Sequence, residues 1–346
     1  MSRIHFDVTH PAHVHLFRHA IRELVDDGHH VAVSSRDKEL TTELLDAFEI
    51  PHTVLSTMGT HKAELVSEWV GRSVRTLQYD YRFDPDVVVS RLSPSAVAAA
   101  TATGAAGVAF HDHEGTNRLA SLLAPFLDRI CTPASFEAEF GASHRRHEGV
   151  QELAYLHPDR FTPDRDRLRD HGVEPDEPYT VLRFVSMGAH HDVGLQGISE
   201  SAQRRLVQEL SVHGPVYVSA EGSIPEDLPG EQMPVPPALM HDLLGEASLL
   251  VTDSNTMATE AGLLGTPVVR SGAYAATDEF SNFAVLGDAG LVESIADETA
   301  AVDRAIELAT DPDAGDRWQR RREAYLDDAI DVTQYIVDTV LEVADE

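Results

Sequence analysis

The sequence predicts two doubly wound α/β halves, each a largely parallel sheet flanked by crossover helices. Three observations predict it. Short apolar or β-branched runs alternate with amphipathic helical stretches from end to end. The alternation halts between about residues 141 and 176, where Arg, Asp, His and Pro crowd together, and then restarts. The 346 residues are also about twice the common size of a single domain.

The first strand is expected at residues 4–8, followed by a loop from Thr9 to His13. In the helix that comes next, Leu16, Phe17, Ala20, Ile21, Leu24 and Val25 recur at helical spacing, and Gly28 supplies its stop. Residues 30–34 read as the second strand, 39–48 as a helix, 52–55 as the third strand and about 63–81 as a long helix. Val87, Val88 and Val89 mark a buried strand. An alanine-rich helix at 95–103, a strand at 108–111, a helix at 117–127 and a strand at 130–132 complete the first half. Residues 141–176 read as a linker with a short helix. The second half opens with strand 180–184, helix 201–212 and strand 216–219, then a proline-rich loop over 224–237. Helix 239–247, strand 249–252, helix 257–264 and strand 268–270 follow, and the last 50 residues read as helical. Two domains are expected, residues 1–155 and 156–346.

Charge excludes some partners. Asp and Glu number 58 against 27 Lys and Arg, giving a formal net charge of -31, and only Lys38 and Lys62 are lysines. Such a surface repels nucleic-acid phosphates and anionic lipid, so no nucleic-acid partner is expected. In molar salt the Debye length shrinks to roughly 3 Å, which screens the self-repulsion of a carboxylate-rich, lysine-poor surface. The composition therefore fits a halophile's protein. The single cysteine, Cys131, excludes an intramolecular disulfide and a cysteine-based zinc site, and its apolar setting predicts a small core residue. No signal peptide and no membrane span are expected, which points to the cytoplasm.

Neither a phosphate-loop motif nor a dinucleotide fingerprint nor a nucleophile elbow occurs, which removes most of the weight from Walker-type ATP hydrolysis, standard NAD binding and serine hydrolysis. In open α/β sheets the informative residues lie in strand-to-helix loops. The loop after residues 249–252 is the most telling. Ser254, Asn255 and Thr256 turn the chain into a helix whose first N–H groups and hydroxyls suit an anion. Glu260 lies about one turn further in, where it can reach a hydroxylated group or stay a solvated helix residue. In the first loop, His13 suits a general base, because imidazole titrates near neutrality; capping or packing the first helix is its structural alternative. His10, His13 and His15, and His111 to Glu114, have ligand-type side chains, but short histidine spacings are common in a chain with 19 histidines, and no metal site is expected.

Residues 239–270 resemble the UDP-N-acetylglucosamine 2-epimerases and the related GT-B glycosyltransferases that build peptidoglycan lipid precursors. The resemblance rests on Leu239-Met240-His241-Asp242-Leu243-Leu244, Val251-Thr252-Asp253-Ser254 and Glu260-Ala261-Gly262 running on to Gly265-Thr266-Pro267. Almost the whole chain is similar to an uncharacterised, largely archaeal family related to both groups. That similarity rests on Asp7-Val8-Thr9-His10-Pro11-Ala12-His13-Val14-His15 and on Val181-Leu182-Arg183 followed by Gly188-Ala189-His190-His191-Asp192. The segment His111-Asp112-His113-Glu114 before Asn117-Arg118-Leu119 resembles an epimerase stretch as well.

The resemblance implies a GT-B-like fold of two facing Rossmann-like domains with a cleft between them, the final helix over about 318–343 crossing back to the first. It implies that Ser254, Asn255 and Thr256 face a nucleotide diphosphate and Glu260 a ribose, with His10, Arg183 and His190 as further binding residues. His13, Asp112 and Glu114 are the implied catalytic groups. Two departures stand out. Asn255 and Thr256 replace the two glycines usual in epimerases, and the loop Ser90-Arg91-Leu92-Ser93-Pro94-Ser95 lacks the aspartate that epimerases carry there. The expected activity is metal-independent glycosyl transfer from a nucleotide sugar, a UDP-sugar by the resemblance, to an acceptor, with no resident cofactor. A nucleotide-sugar epimerase and a non-catalytic sugar-nucleotide binder remain alternatives.

Overall fold

The computed structural model describes residues 1–59, 61–184, 197–220, 228, 230–272 and 281–346. The chain divides into two compact units, Met1–Arg160 with Ile330–Glu346, and Phe161–Ala329. The first contains β1 (Arg3–Val8), α1 (Pro11–Asp26), β2 (His30–Asp37), α2 (Thr41–Ala47), β3 (Thr53–Thr57) and α3 (Lys62–Phe83). It continues with β4 (Val87–Ser90), α4 (Pro94–Thr103), β5 (Ala106–Phe110), α5 (Asn117–Leu123), β6 (Arg129–Pro133), β7 (His144–His147) and α6 (Leu153–Leu156). The second contains α7 (Arg165–Asp170), β8 (Thr180–Phe184), α8 (Glu200–Leu210), β9 (Val216–Ala220), β10 (Glu231–Gln232), α9 (Met240–Glu246) and β11 (Leu249–Thr252). It goes on with α10 (Asn255–Leu264), β12 (Val268–Ser271), α11 (Ser281–Asp288), β13 (Glu293–Ile295), α12 (Glu298–Thr310) and α13 (Ala314–Leu326). Finally α14 (Val332–Asp345) returns to the first unit, packing on α1 and α6.

Both sheets are parallel throughout, with strand orders β3-β2-β1-β4-β5-β6-β7 and β10-β9-β8-β11-β12-β13. The central strands are buried on both faces, Val87, Val88 and Val89 of β4 among them, as parallel strands between two helix layers must be. In the first unit Phe6 of β1, Phe17 of α1 and Phe110 of β5 form a contiguous aromatic core, with centroids 5.4 and 5.9 Å apart. Tyr335 of α14 closes it edge-on against Phe110. Cys131 is buried there, its thiol pushed up to about 11 chiefly by burial.

Three expectations need correction. The span 141–176 holds a strand, β7, as well as helices. His144-Arg145-Arg146-His147 has no apolar residue to signal it, because it pairs only with β6 at the sheet's edge, where polar side chains are at home. Edge strands β10 and β13 were equally silent, being two and three residues long. The expected helix over 318–343 is two helices. Asp331 stops continuity by capping α14, accepting from the N–H of Thr333 at 3.0 Å and of Gln334 at 3.3 Å. Trp318 of α13 is fully buried in the second unit and donates Nε1–H to the Leu291 carbonyl at 2.9 Å. Only α14 belongs with the first unit. Among the described residues no helix is long and apolar enough to cross a membrane.

Candidate functional site

Each sheet has one place where neighbouring strands lead their connections in opposite directions, and ligands of open α/β sheets gather at the carboxyl ends of those strands. In the first unit the pair is β1 and β4; in the second it is β8 and β11. Of the residues singled out from the sequence, His10 and His13 lie where β1 leads into α1, and Arg183, Ser254, Asn255 and Thr256 at the ends of β8 and β11, whereas Asp112 and Glu114 follow β5.

In the second unit, Thr252 at the end of β11 lies in register with Arg183 at the end of β8 and donates its hydroxyl to the Arg183 carbonyl at 2.9 Å. Arg183 in turn donates to the Ser219 hydroxyl at 2.6 Å. The chain then enters α10. Ser254 is the N-cap, accepting from the Met257 N–H at 3.4 Å while its own N–H donates to Thr252 Oγ1 at 2.9 Å. Capping by a short hydroxyl leaves the first helical N–H groups pointing outward. Ser254 and Asn255 are half-exposed and Thr256 is exposed, so the helix entrance is open to a ligand. Asn255 has a partner that sequence reasoning missed: Arg270 of β12 donates to its Oδ1 at 3.0 Å and stacks 3.6 Å from the Phe283 ring centroid. Burial pulls the Arg270 guanidinium down to about 10. A single arginine in the apolar run Val268-Val269-Arg270 was the signal.

Glu260 is not a solvated helix residue; it is 5% exposed. His241 of α9, itself buried, places Nε2 3.0 Å from Glu260 Oε1. Phe161 meets that imidazole edge-on at 6.0 Å. A buried carboxylate at such a place needs a fixed partner, and His241 provides one. His190 lies outside the described residues.

In the first unit, His10 caps α1 by accepting the Ala12 N–H on Nδ1 at 3.2 Å. Burial and the Lys38 charge pull His10 down to about 4, against the carboxylate of Glu39, whose Oε2 is 3.6 Å from Nε2. His13 lies beside it, with ring centroids 5.8 Å apart. The Thr9 N–H donates to His13 Nδ1 at 3.3 Å. Burial first, then Arg91, with His10, Lys38 and Arg72 adding to it, hold His13 well below the ordinary imidazole range. His13 is therefore neutral, and since Nδ1 accepts, its one hydrogen sits on Nε2. That arrangement presents a donor, whereas a base acting through Nε2 needs the opposite tautomer.

The loop after β4 is the third part of this edge. Leu92 has φ 55°, a left-handed conformation that a residue with a branched side chain adopts at a cost of about 1 kcal/mol or more. The turn sends Arg91 to one side, where it pairs with Asp112, and brings Ser93 to the N-cap of α4. Asp112 is 9% exposed and its role here is to hold Arg91. Glu114 sits half-buried in a short 3-10 turn before α5.

The histidine clusters do not converge. His15 packs against Phe48 and Tyr155, and His111 is buried against Phe136 and Phe140 with Nε2 3.4 Å from Asn117 Oδ1. Among the described residues no group of three or more His, Cys, Asp or Glu side chains is placed to hold a metal ion.

Residues 2–345 match the family described as Protein of unknown function (DUF354). The chain belongs to that family. No curated protein matches it. Among solved structures, the UDP-GlcNAc 2-epimerase from Neisseria meningitidis bound to UDP-GlcNAc is similar at a TM-score of 0.68 and 14% identity, over 98% of this chain and 99% of that one. The spinosyn forosaminyltransferase SpnP is similar at a TM-score of 0.66 and 14% identity, over the whole of both chains. MurG of Acinetobacter baumannii is similar at 0.57 and 14% identity, over 98% of this chain and 99% of that one. At such identities the likeness establishes the fold: the DUF354 chain has the two parallel-sheet α/β units of GT-B glycosyltransferases and 2-epimerases.

Proposed function

We propose that this DUF354 protein is a nucleotide-sugar-dependent glycosyltransferase that uses a UDP-sugar as donor. The second unit holds the nucleotide and the first receives the acceptor. One observation carries the reading: at the β8–β11 edge, an open, hydroxyl-lined helix entrance lies about one turn from a buried carboxylate, Glu260, braced by His241. The α10 N–H groups and the Ser254 and Thr256 hydroxyls suit a diphosphate, and a carboxylate that accepts two hydrogen bonds suits the vicinal hydroxyls of a ribose. The neutral N–H donors of a helix start also stabilise charge that develops on a departing diphosphate.

On the acceptor side, His13 serves as a neutral donor that orients a hydroxyl. The acceptor oxygen attacks the anomeric carbon, the bond to the diphosphate breaks, and the hydroxyl proton passes to water. Epimerisation requires proton exchange at a sugar carbon. Of the two carboxylates expected for it, Asp112 is engaged by Arg91 while Glu114 sits half-buried in the turn before α5, and the loop after β4 supplies none on the opposite side. Transfer is therefore the favoured chemistry.

Incubating the protein with UDP-N-acetylglucosamine in molar KCl, with and without a panel of saccharide acceptors, tests the reading. Sugar transfer that depends on acceptor supports it. Conversion to the epimer without acceptor refutes transfer in favour of epimerisation, and binding without turnover refutes catalysis.

A further inference from the structure

The first unit contains a cavity of about 310 Å³ beside the β1–β4 edge. That volume is at the lower end of small-molecule sites (~300–1,000 Å³) and suits a single sugar ring. Its lining is unusual for this chain. The whole protein has 27 basic residues against 58 acidic ones, yet Arg36, Arg72 and Arg91 all line this one cavity. Among the described residues that line it, the one acidic side chain is Glu68.

Each guanidinium is held in place by a carboxylate. Arg36 Nε donates to Glu68 Oε1 at 2.9 Å, and Ser56 also donates to that oxygen at 2.6 Å. Arg91 is held by Asp112, and Arg72 by Asp7; neither aspartate lines the cavity. Arg72 also donates to the Ser35 carbonyl at 3.1 Å and to the Ser56 hydroxyl at 3.3 Å. Behind it a buried polar chain continues. Ser34 donates to Asp7 Oδ1 at 2.7 Å, His5 Nε2 lies 2.9 Å from Ser34 Oγ, and His5 Nδ1 lies 2.7 Å from Asp80 Oδ1. His5, Ser34, Asp7 and Asp80 are all fully buried. Such a chain is costly to bury and fixes Arg72 before any ligand arrives. Arg72 Nε, also buried, has no hydrogen-bond partner among the described residues. Arg91 makes one hydrogen bond among the described residues, to Asp112, so its other N–H groups remain for a ligand.

Two further features border the cavity. Ser93 and Ser95, whose hydroxyls are 3.0 Å apart, line it from the start of α4, where helical N–H groups favour negative charge. Trp69 lines it from α3 and is 56% exposed, a large aromatic face left open to a ligand.

We propose that this cavity binds an oxyanionic group, a carboxylate or a phosphate, on a sugar that lies against Trp69. Given the transferase reading, on which this identification of the occupant as acceptor rests, the acceptor is a uronic acid or a sugar phosphate rather than a neutral sugar. Fixed guanidinium groups, two serine hydroxyls and a helix start provide charge-assisted donors for such oxygens.

Intrinsic fluorescence reads the cavity directly. The chain has two tryptophans, and Trp318 is fully buried in the other unit, so a ligand at the cavity changes the emission of Trp69 alone. Glucuronate, glucose 6-phosphate and glucose are titrated into the full chain without nucleotide, with calorimetry in parallel. Saturable binding of one or both anionic sugars, at least tenfold tighter than glucose, is expected. Binding of glucuronate alone identifies a carboxylate site, and of glucose 6-phosphate alone a phosphate site. Arg36→Gln removes that preference by roughly tenfold, and Trp69→Phe removes the fluorescence change while calorimetry still detects the ligand. Equal binding of glucose, an anionic preference that survives Arg36→Gln, or no binding of either anionic sugar overturns the proposal. UDP binding is measured separately: if it fails while glucuronate or glucose 6-phosphate binds, the transferase reading falls and the anion site stands.

Discussion

His13 gives the sharpest chemical test, because its geometry selects between two roles that sequence alone left together. Burial and neighbouring positive charge keep it neutral, and the Thr9 N–H on Nδ1 puts its hydrogen on Nε2. Glutamine carries an N–H near the position of Nε2, so His13→Gln retains a donor and removes the imidazole; His13→Ala removes both. Loss of a hydrogen bond to a polar or charged substrate group is worth about 1.5–3 kcal/mol, or roughly 10–150-fold in kcat/KM. Loss of a general base costs on the order of 10²–10⁴-fold. The donor role predicts that Gln stays within about tenfold of wild type while Ala falls well below it. Nitrogen-15 shifts of the imidazole supply a readout that needs no turnover: His13 should appear as the Nε2–H tautomer and stay neutral through pH 6.5, the ordinary midpoint of a histidine. An imidazolium at pH 6, the Nδ1–H tautomer, or a His13→Gln enzyme as inactive as His13→Ala would refute the donor assignment.

Three further outcomes are expected. Glu260→Ala removes a buried charge-assisted contact to His241, so it should cost about 1.5–3 kcal/mol and lower the melting temperature by roughly 3–12 °C; an unchanged melting curve would contradict its burial. Burial holds His147 near a pKa of about 4, so the folded state stays neutral while the unfolded chain takes up a proton below about 6.5. Stability from this residue is full above that value and lost as pH falls toward 4, by ~2 kcal/mol at pH 5, and urea titrations of wild type and His147→Phe should differ in that slope. The net charge of -31 should make the melting temperature rise from dilute buffer to molar KCl, and equal stability in both would contradict a high-salt adaptation.

The interior of each sheet was readable because its strands are long enough and apolar enough to announce themselves. The run at Val87, Val88 and Val89 and the helical spacing of Leu16, Phe17, Ala20 and Ile21 leave few alternatives. The edges were not readable. β7 consists of His and Arg, and β10 has two residues, so their strand identity comes from a neighbour's backbone rather than from any pattern of their own. The break between α13 and α14 was hidden because apolar residues recur at helical spacing on both sides of Asp331. At the site, loops could be ranked from the sequence, whereas partners could not. That Glu260 meets His241, that Asn255 meets Arg270 and that Arg91 meets Asp112 depends on contacts 19, 15 and 21 residues apart in the chain. The arginine-lined cavity was invisible for the same reason, since β2, α3 and the loop after β4 each contribute one cation.

Nucleotide binding by the Ser254–Glu260 segment is most directly tested by calorimetric titration of UDP and 2′-deoxy-UDP into wild type and Glu260→Ala. Glu260 as the ribose ligand predicts that wild type binds UDP at least tenfold more tightly than the deoxy form. It predicts that Glu260→Ala binds both weakly and about equally. Folded wild-type protein that binds no UDP, or a Glu260→Ala variant that still distinguishes the two sugars, would contradict it.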